Sequence, residues 1–300
     1  MKNIISASRR TDLPRWFLKP TIEAFKKESI TLMNPFNNIP YSVSLRPDDI
    51  HSIVWWSKDY KKFVESNNIE FFSRYNNFFQ FTLNGYSQEK MQSFLEGGIT
   101  SSLDERIAQM KILVDTFSPL QVTWRFDPII VWKENTSIPD IESFLQIEGE
   151  GLTYLAEQYL RDFEYLSERI GKMGVSRCVI SFVQYYGKVL SRLNRKFKEN
   201  LGPFRDPPLE EKIEIARRLA IINKKNGIET FSCANEFIVD CKLIQKSHCI
   251  DGDLLEKLFS ERASKSKDKG QRLECGCTNS RDIGAYNQKC QHSCLYCYGN

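Results

Sequence analysis

No run in this sequence approaches the roughly 20 consecutive apolar residues that a membrane-spanning helix needs, so no membrane span is expected. Charge of one sign is lacking too. The 42 Lys and Arg stand against 38 Asp and Glu, and the resulting +4 is too small to argue for nucleic acid on its own. The first residues, MKNIISASRRTD, lack the apolar core of a signal peptide, which makes the cytoplasm the expected compartment. Internal repeats and low-complexity stretches are missing. An even cysteine count is missing as well: nine cysteines in a reducing compartment argue against a disulfide framework and for metal ligation or catalysis. What is present is ordinary for a globular protein, with 41% hydrophobic and 27% charged residues. The 300 residues suffice for one large α/β domain or two small ones.

Six segments read as strands: IISAS (4–8), SIVWWS (52–57), FFQFTL (78–83), VTWRF (122–126), RCVISFV (177–183) and ETFSCA (229–234). Several are apolar at consecutive positions, which suits strands buried on both faces of a parallel sheet. Helical patterns lie between them. In 102–117, Ser102 and Glu105 make a capping box, and Leu103, Ile107, Met110, Val114 and Phe117 share a face. A second helix is expected over 152–173, with Leu152, Leu155, Phe163, Leu166 and Ile170 at helical spacing. A third is expected over 207–226, with Asp206 as cap, Pro207 in the first turn and Gly227 at the end. Residues 16–28 make a fourth, and 30–46 read as an inserted hairpin. The basic stretches 191–198 and 264–272 read as solvated loops.

Alternating strands and helices predict an α/β fold of the open (β/α)6 type, a partial TIM barrel spanning 1–240. A cysteine-rich tail, 241–300, is expected to fold over the barrel mouth. Active sites of such barrels lie at the C-terminal strand ends. That places Arg9, Arg10, Asp12, Lys58, Arg125 and Asp127 as catalytic candidates, and Asn235 and Glu236 as cofactor-binding ones. Pro128, which cannot donate to a ladder, is expected to mark a strand end.

Five of the nine cysteines lie between 275 and 297. Cys290, Cys294 and Cys297 have the spacing C-x3-C-x2-C. Three thiolates on one tight loop can each hold one iron of a [4Fe–4S] cubane, leaving the fourth iron open to chelate S-adenosylmethionine (SAM). Zinc is the competing reading of clustered thiols. Cys233, Cys249, Cys275 and Cys277 form a second candidate set, for an auxiliary cluster or a zinc ion. Cys178 reads as core, and Cys241 is ambiguous.

The segment CQHSCLYCY carries the C-x3-C-x-aromatic-C pattern and so resembles the radical SAM superfamily, which implies that Tyr296 packs near the adenine of SAM. VWWSKD (54–59) and WRFDPIIV (124–131) resemble strand ends of the spore photoproduct lyase-like branch. The whole chain also resembles a microbial domain-of-unknown-function family (1848), through SASRRTD, the mid-chain FDPII segment and CGC…DIG…YN…CxxxCxYCY. The superfamily motif usually follows the first strand, whereas here it comes last, so a circular permutation or a relocated cluster loop is expected. A Gly-Gly-Glu segment after the second strand is lacking. The resemblance implies reductive cleavage of SAM, with an electron donor such as ferredoxin or flavodoxin and a substrate that the sequence does not name. A different class stays open: a non-enzymatic zinc or iron–sulfur module docking nucleic acid or a partner protein through the basic loops and Tyr185, Tyr186, Phe197 and Phe204.

Overall fold

In the computed structural model, residues 1–34, 37–85, 89–133, 151–233, 235–271 and 274–299 are described. Pro35 and Phe36 of the expected hairpin, Ala234 of the sixth strand segment and Arg272 of the second basic stretch fall outside them, as do the side chains of Leu152, Leu155 and Cys241.

Eight parallel strands form one sheet. Six of them match the six expected segments: β1 (Asn3–Ala7), β4 (Ile50–Ser57), β5 (Asn77–Thr82), β6 (Val122–Ile129), β8 (Arg177–Phe182) and β10 (Glu229–Ser232). The other two, β11 (Ile244–Lys246) and β12 (Arg281–Asp282), are short and form the two edges. The order is β11-β10-β8-β6-β5-β4-β1-β12. It follows the chain from β1 to β11, and only β12 returns to the starting edge. The edges do not pair with each other, so the sheet is open and no closed barrel forms among the described residues. The expected hairpin is β2 (Ser29–Met33) against β3 (Pro40–Ser44), and a small ribbon joins β7 (Val131–Trp132) to β9 (Phe204–Arg205).

The helices are α1 (Leu13–Trp16), α2 (Leu18–Lys26), α3 (Ser66–Phe72), α4 (Glu89–Leu95), α5 (Leu103–Thr116), α6 (Gly151–Lys172), α7 (Gly187–Phe197), α8 (Leu209–Lys225) and α9 (Gly252–Phe259). Among the described residues, none is long and apolar enough to cross a membrane. The capping box of α5 forms as expected: Glu105 N–H donates to Ser102 Oγ at 3.1 Å, and Ser102 N–H donates to Glu105 Oε2 at 2.8 Å. Gly227 follows the end of α8 with φ +72°, the left-handed position that glycine tolerates.

Three local expectations are corrected. Asp206 does not cap α8, which starts two residues later than expected; its carboxylate pairs with Lys212 at 2.6 Å instead. Pro128 does not end β6. The register shifts between Phe126 and Ile129, and the ladder resumes when Val183 N–H donates to Ile129 O at 3.0 Å. The basic stretch 191–198 is not a loop but lies largely in α7, whose Val189 and Leu193 are buried.

Both sheet faces are covered, which explains the consecutive apolar runs. Ile5, Ala7, Ile53, Trp55, Phe79, Phe81, Trp124, Phe126, Cys178 and Ile180 face the helices, in one core with Phe72, Met110, Phe163 and Leu219. Ile4, Val54 and Phe78 face the opposite way and pack under Ile250, Leu255, Cys275 and Cys277 of the last sixty residues. Further along this second face the side chains turn polar. By strand alternation and register, Ser8, Trp56, Thr82, Arg125 and Ser181 share it.

Candidate functional site

These polar strand ends form the wall of a cavity of about 510 Å3. Arg9, Arg10, Asp12, Lys58, Arg125 and Asp127 line it, as do Tyr296 and seven cysteines: Cys233, Cys249, Cys275, Cys277, Cys290, Cys294 and Cys297. Side chains that the sequence scatters over almost 290 positions thus meet at one place. Asn235 and Glu236 are not part of the wall. Glu236 opens a short 3-10 turn and pairs with exposed Lys246, while Asn235 accepts a hydrogen bond from Phe182 N–H at 3.0 Å.

The loop bearing Cys290, Cys294 and Cys297 is clamped by its backbone. Leu295 N–H donates to Leu95 O at 2.9 Å, and Gly98 N–H donates to His292 O at 2.8 Å. A Cβ on Gly98 would stand 1.7 Å from Gln291 O, so only glycine allows the turn after α4 to approach the loop this closely. From the other side Arg192 of α7 donates through Nη1 to the carbonyls of Cys294 (3.1 Å), Leu295 (3.1 Å) and Cys297 (2.7 Å). His292 Nε2 lies 2.7 Å from Asp12 Oδ2. Asp12 also caps α1 and accepts from Ser57 Oγ and Lys58 N–H. Gly299 N–H points at Cys297 Sγ, 3.3 Å away. Burial pushes the Cys290 thiol up to about 12, with Asp12 adding to the effect, and raises Cys294 well above the ordinary thiol range. A metal taking these sulfurs must therefore displace protons.

Tyr296 stands over a polar cluster in which Lys58 was an expected site residue and Glu96 was not. Its hydroxyl donates to Glu96, and Asn84 Nδ2 donates to Glu96 Oε1 (3.0 Å) and to the Tyr296 oxygen (3.1 Å). Lys58 Nζ lies 2.9 Å from Glu96 Oε1 and 5.4 Å from the centre of the Tyr296 ring. Burial pushes the Glu96 carboxyl upward, but Lys58, Arg106 and the Tyr296 hydroxyl together hold it below its ordinary value. Glu96 sits in a turn after α4, not at a strand end, so no strand-based argument could have found it.

Arg125 is buried and donates to Asp127 and, at 3.1 Å, to Cys249 Sγ. Ser181 Oγ donates to the second oxygen of Asp127. The guanidinium is thus committed to an internal carboxylate and a thiol, not held free for a ligand carboxylate. Cys249 Sγ lies 3.1 Å from Cys233 Sγ, and Cys275 and Cys277 share the wall with them. The four thiols form a network in which Cys249 falls well below the ordinary range, mainly through Cys233 and Cys277. Cys275 falls to about 6, mainly through Cys277, while Cys233 rises to about 12, mainly through Cys249. Among the described residues, no three His, Cys, Asp or Glu side chains already stand at the spacing of a loaded metal site.

The two ends of the chain meet beside the cavity. Asp282 accepts from Ser6 Oγ (2.9 Å), Ser8 Oγ (2.6 Å), Arg9 N–H (2.9 Å) and Gly284 N–H (2.9 Å). Arg9 also reaches Asp268 and Ser280, and Arg10 reaches Gly284 O and lies over the Tyr286 ring. Of the aromatic residues read as an alternative contact surface, Phe204 is buried, and Tyr185 and Phe197 pack against the same cluster, which includes Cys294, Leu295 and Tyr296. Tyr186 is exposed.

No curated protein and no solved structure matches the chain. One family model does, over residues 4–299, and it joins the SASRRTD segment, the strand ends and the cysteine loop in a single unit. The chain therefore belongs to the family described as domain of unknown function DUF1848.

Proposed function

We propose that this protein is a radical SAM-type enzyme whose [4Fe–4S] cluster is held by Cys290, Cys294 and Cys297. One observation carries the reading: these three thiols, and no fourth from the same loop, open into the cavity that the strand ends line. The donor set fits the group, because three protein thiolates leave one iron for SAM. When bound, the cluster supplies the electron that cleaves the sulfonium bond of SAM. The open parallel sheet then acts as a partial (β/α)6 barrel, with 241–300 folded over its mouth.

The chain's own residues have separable tasks. Arg192 and the turn at Gly98 hold the loop backbone. Asp12 and His292 fix the loop to the start of α1 and the end of β4. Tyr296, buried and braced by Glu96 and Asn84, presents its ring and the Lys58 ammonium beside the loop. Thr11 lines the cavity with a buried hydroxyl that has no hydrogen-bond partner among the described residues, a ready contact for a polar ligand. An electron donor such as a ferredoxin or flavodoxin completes the scheme.

The test is anaerobic reconstitution with iron and sulfide, followed by reduction in the presence of SAM. The expected outcome is a brown protein that forms 5′-deoxyadenosine, and loss of both colour and product when Cys290, Cys294 and Cys297 are changed together to Ala. A colourless protein carrying zinc on this loop after iron supply would overturn the reading.

A further inference from the structure

The second thiol group lines the same cavity as the 290–297 loop but comes from other chain segments and has its own supports. Cys233 follows β10, Cys249 follows β11, and Cys275 and Cys277 flank Gly276 in the loop before β12. Three separate chain segments thus converge on one point. Thr278 N–H donates to Ile250 O at 3.0 Å and Ile250 N–H points at Cys277 Sγ at 3.4 Å, so two of the segments are zipped together. A Cβ on Gly276 would lie 2.0 Å from the His248 ring, so a larger residue there would push that ring aside.

We infer that Cys233, Cys249, Cys275 and Cys277 form a tetrahedral zinc site that fastens the last sixty residues to the sheet. The one close sulfur pair argues for zinc over a second cluster. With zinc–sulfur bonds of about 2.3 Å, a tetrahedral site spaces its sulfurs about 3.8 Å apart. The 3.1 Å between Cys233 and Cys249 needs to open by only about 0.7 Å to fit. A cubane places iron and sulfide between every pair of cysteine sulfurs and requires far wider separation. Charge agrees. Four thiolates around Zn2+ leave a net charge of −2, and two cations share the wall with the group: Arg125, 3.1 Å from Cys249 Sγ, and Arg9. Such partners orient and stabilise ligating thiolates. All four protein ligands are sulfur, which leaves no open position, so the site is structural rather than catalytic.

The inference does not rest on the reading of the 290–297 loop, and the two fail separately. Zinc is measured by elemental analysis in the full-length protein and in the Cys290, Cys294, Cys297→Ala variant, each purified anaerobically. About one zinc per chain is expected in both. Zinc-edge X-ray absorption on the unaltered protein checks the ligands without relying on any variant's folding. Four sulfurs at about 2.3 Å are expected, a set that the three-cysteine loop cannot supply. Cys275→Ser should weaken zinc retention by roughly tenfold or more in a chelator competition. Absence of zinc from the folded triple variant would overturn the site, as would iron and sulfide in its place or nitrogen and oxygen ligands at the zinc.

Discussion

Arg192 illustrates how one side chain can organise a loop it does not belong to. Three carbonyls of the cysteine loop share the two N–H groups of a single guanidinium nitrogen, and a full hydrogen bond to a charged donor contributes about 1.5–3 kcal/mol. Arg192→Ala leaves these acceptors to water or to nothing. The expected result is a two-fold or greater fall in iron bound per chain after reconstitution, with a small change in melting temperature. Unchanged iron content would show that the loop holds its shape without the clamp. Glu96 gives a prediction in pH. Its carboxyl is held below the ordinary value in the folded protein, so its stabilising contribution is complete above the unfolded value and disappears as pH falls through the folded one. Glu96→Gln should therefore lower the urea midpoint at pH 7, and the gap from the unaltered protein should narrow as pH drops below about 4.5. A gap that widens on acidification would contradict the assignment.

At the scale of elements, the turn after α4 and the cysteine loop form one packed unit. Glu96 and Cys294 form an isolated antiparallel bridge there, and Gly98 sits against Gln291. Gly98→Ala puts a methyl group where backbone already lies. Overpacking of this kind costs about 1–3 kcal/mol, and the loop is the part that must move. Reconstituted iron content and the visible spectrum should fall while far-ultraviolet circular dichroism is kept. An intact cluster in Gly98→Ala would mean that the turn, not the loop, yields. Helix α7 shows what was not legible at this scale. SRLNRKFK presents so many basic groups that it reads as a solvated loop, yet Val189 and Leu193 one turn apart, with Arg192 beside them, give it a buried edge. That edge packs against the cysteine loop together with Leu95, Ile130 and Phe204.

For the whole molecule, the decisive feature is the junction of the two ends. Asp282 gathers four donors from the SASR and DIG segments, and β12 pairs with β1. Removing one partner strands buried donors at about 1–3 kcal/mol each. Asp282→Ala should lower the unfolding free energy by about 3 kcal/mol, and hydrogen exchange should speed up together in 3–9 and 280–285. If only 280–285 loses protection, the two ends are not one cooperative unit.

Local patterns were enough to locate the six main strands, because burial on both faces forces consecutive apolar residues whatever the neighbouring strand is. They were also enough for the capping box of α5, the hairpin and the cysteine spacing, each of which depends on residues a few positions apart. The assembly of the cavity depends on contacts of another range. His292 meets Asp12 across 280 positions, Tyr296 meets Glu96 across 200, and Arg192 meets Cys297 across 105. No periodicity records such pairs. Only the order of strands in the sheet, and the return of the last sixty residues over its second face, brought Cys233, Arg125 and the cysteine loop to one wall. The same packing turned Glu236 outward and tied Arg125 to Asp127, because a side chain's direction follows from the backbone beneath it and from the partners that reach it first.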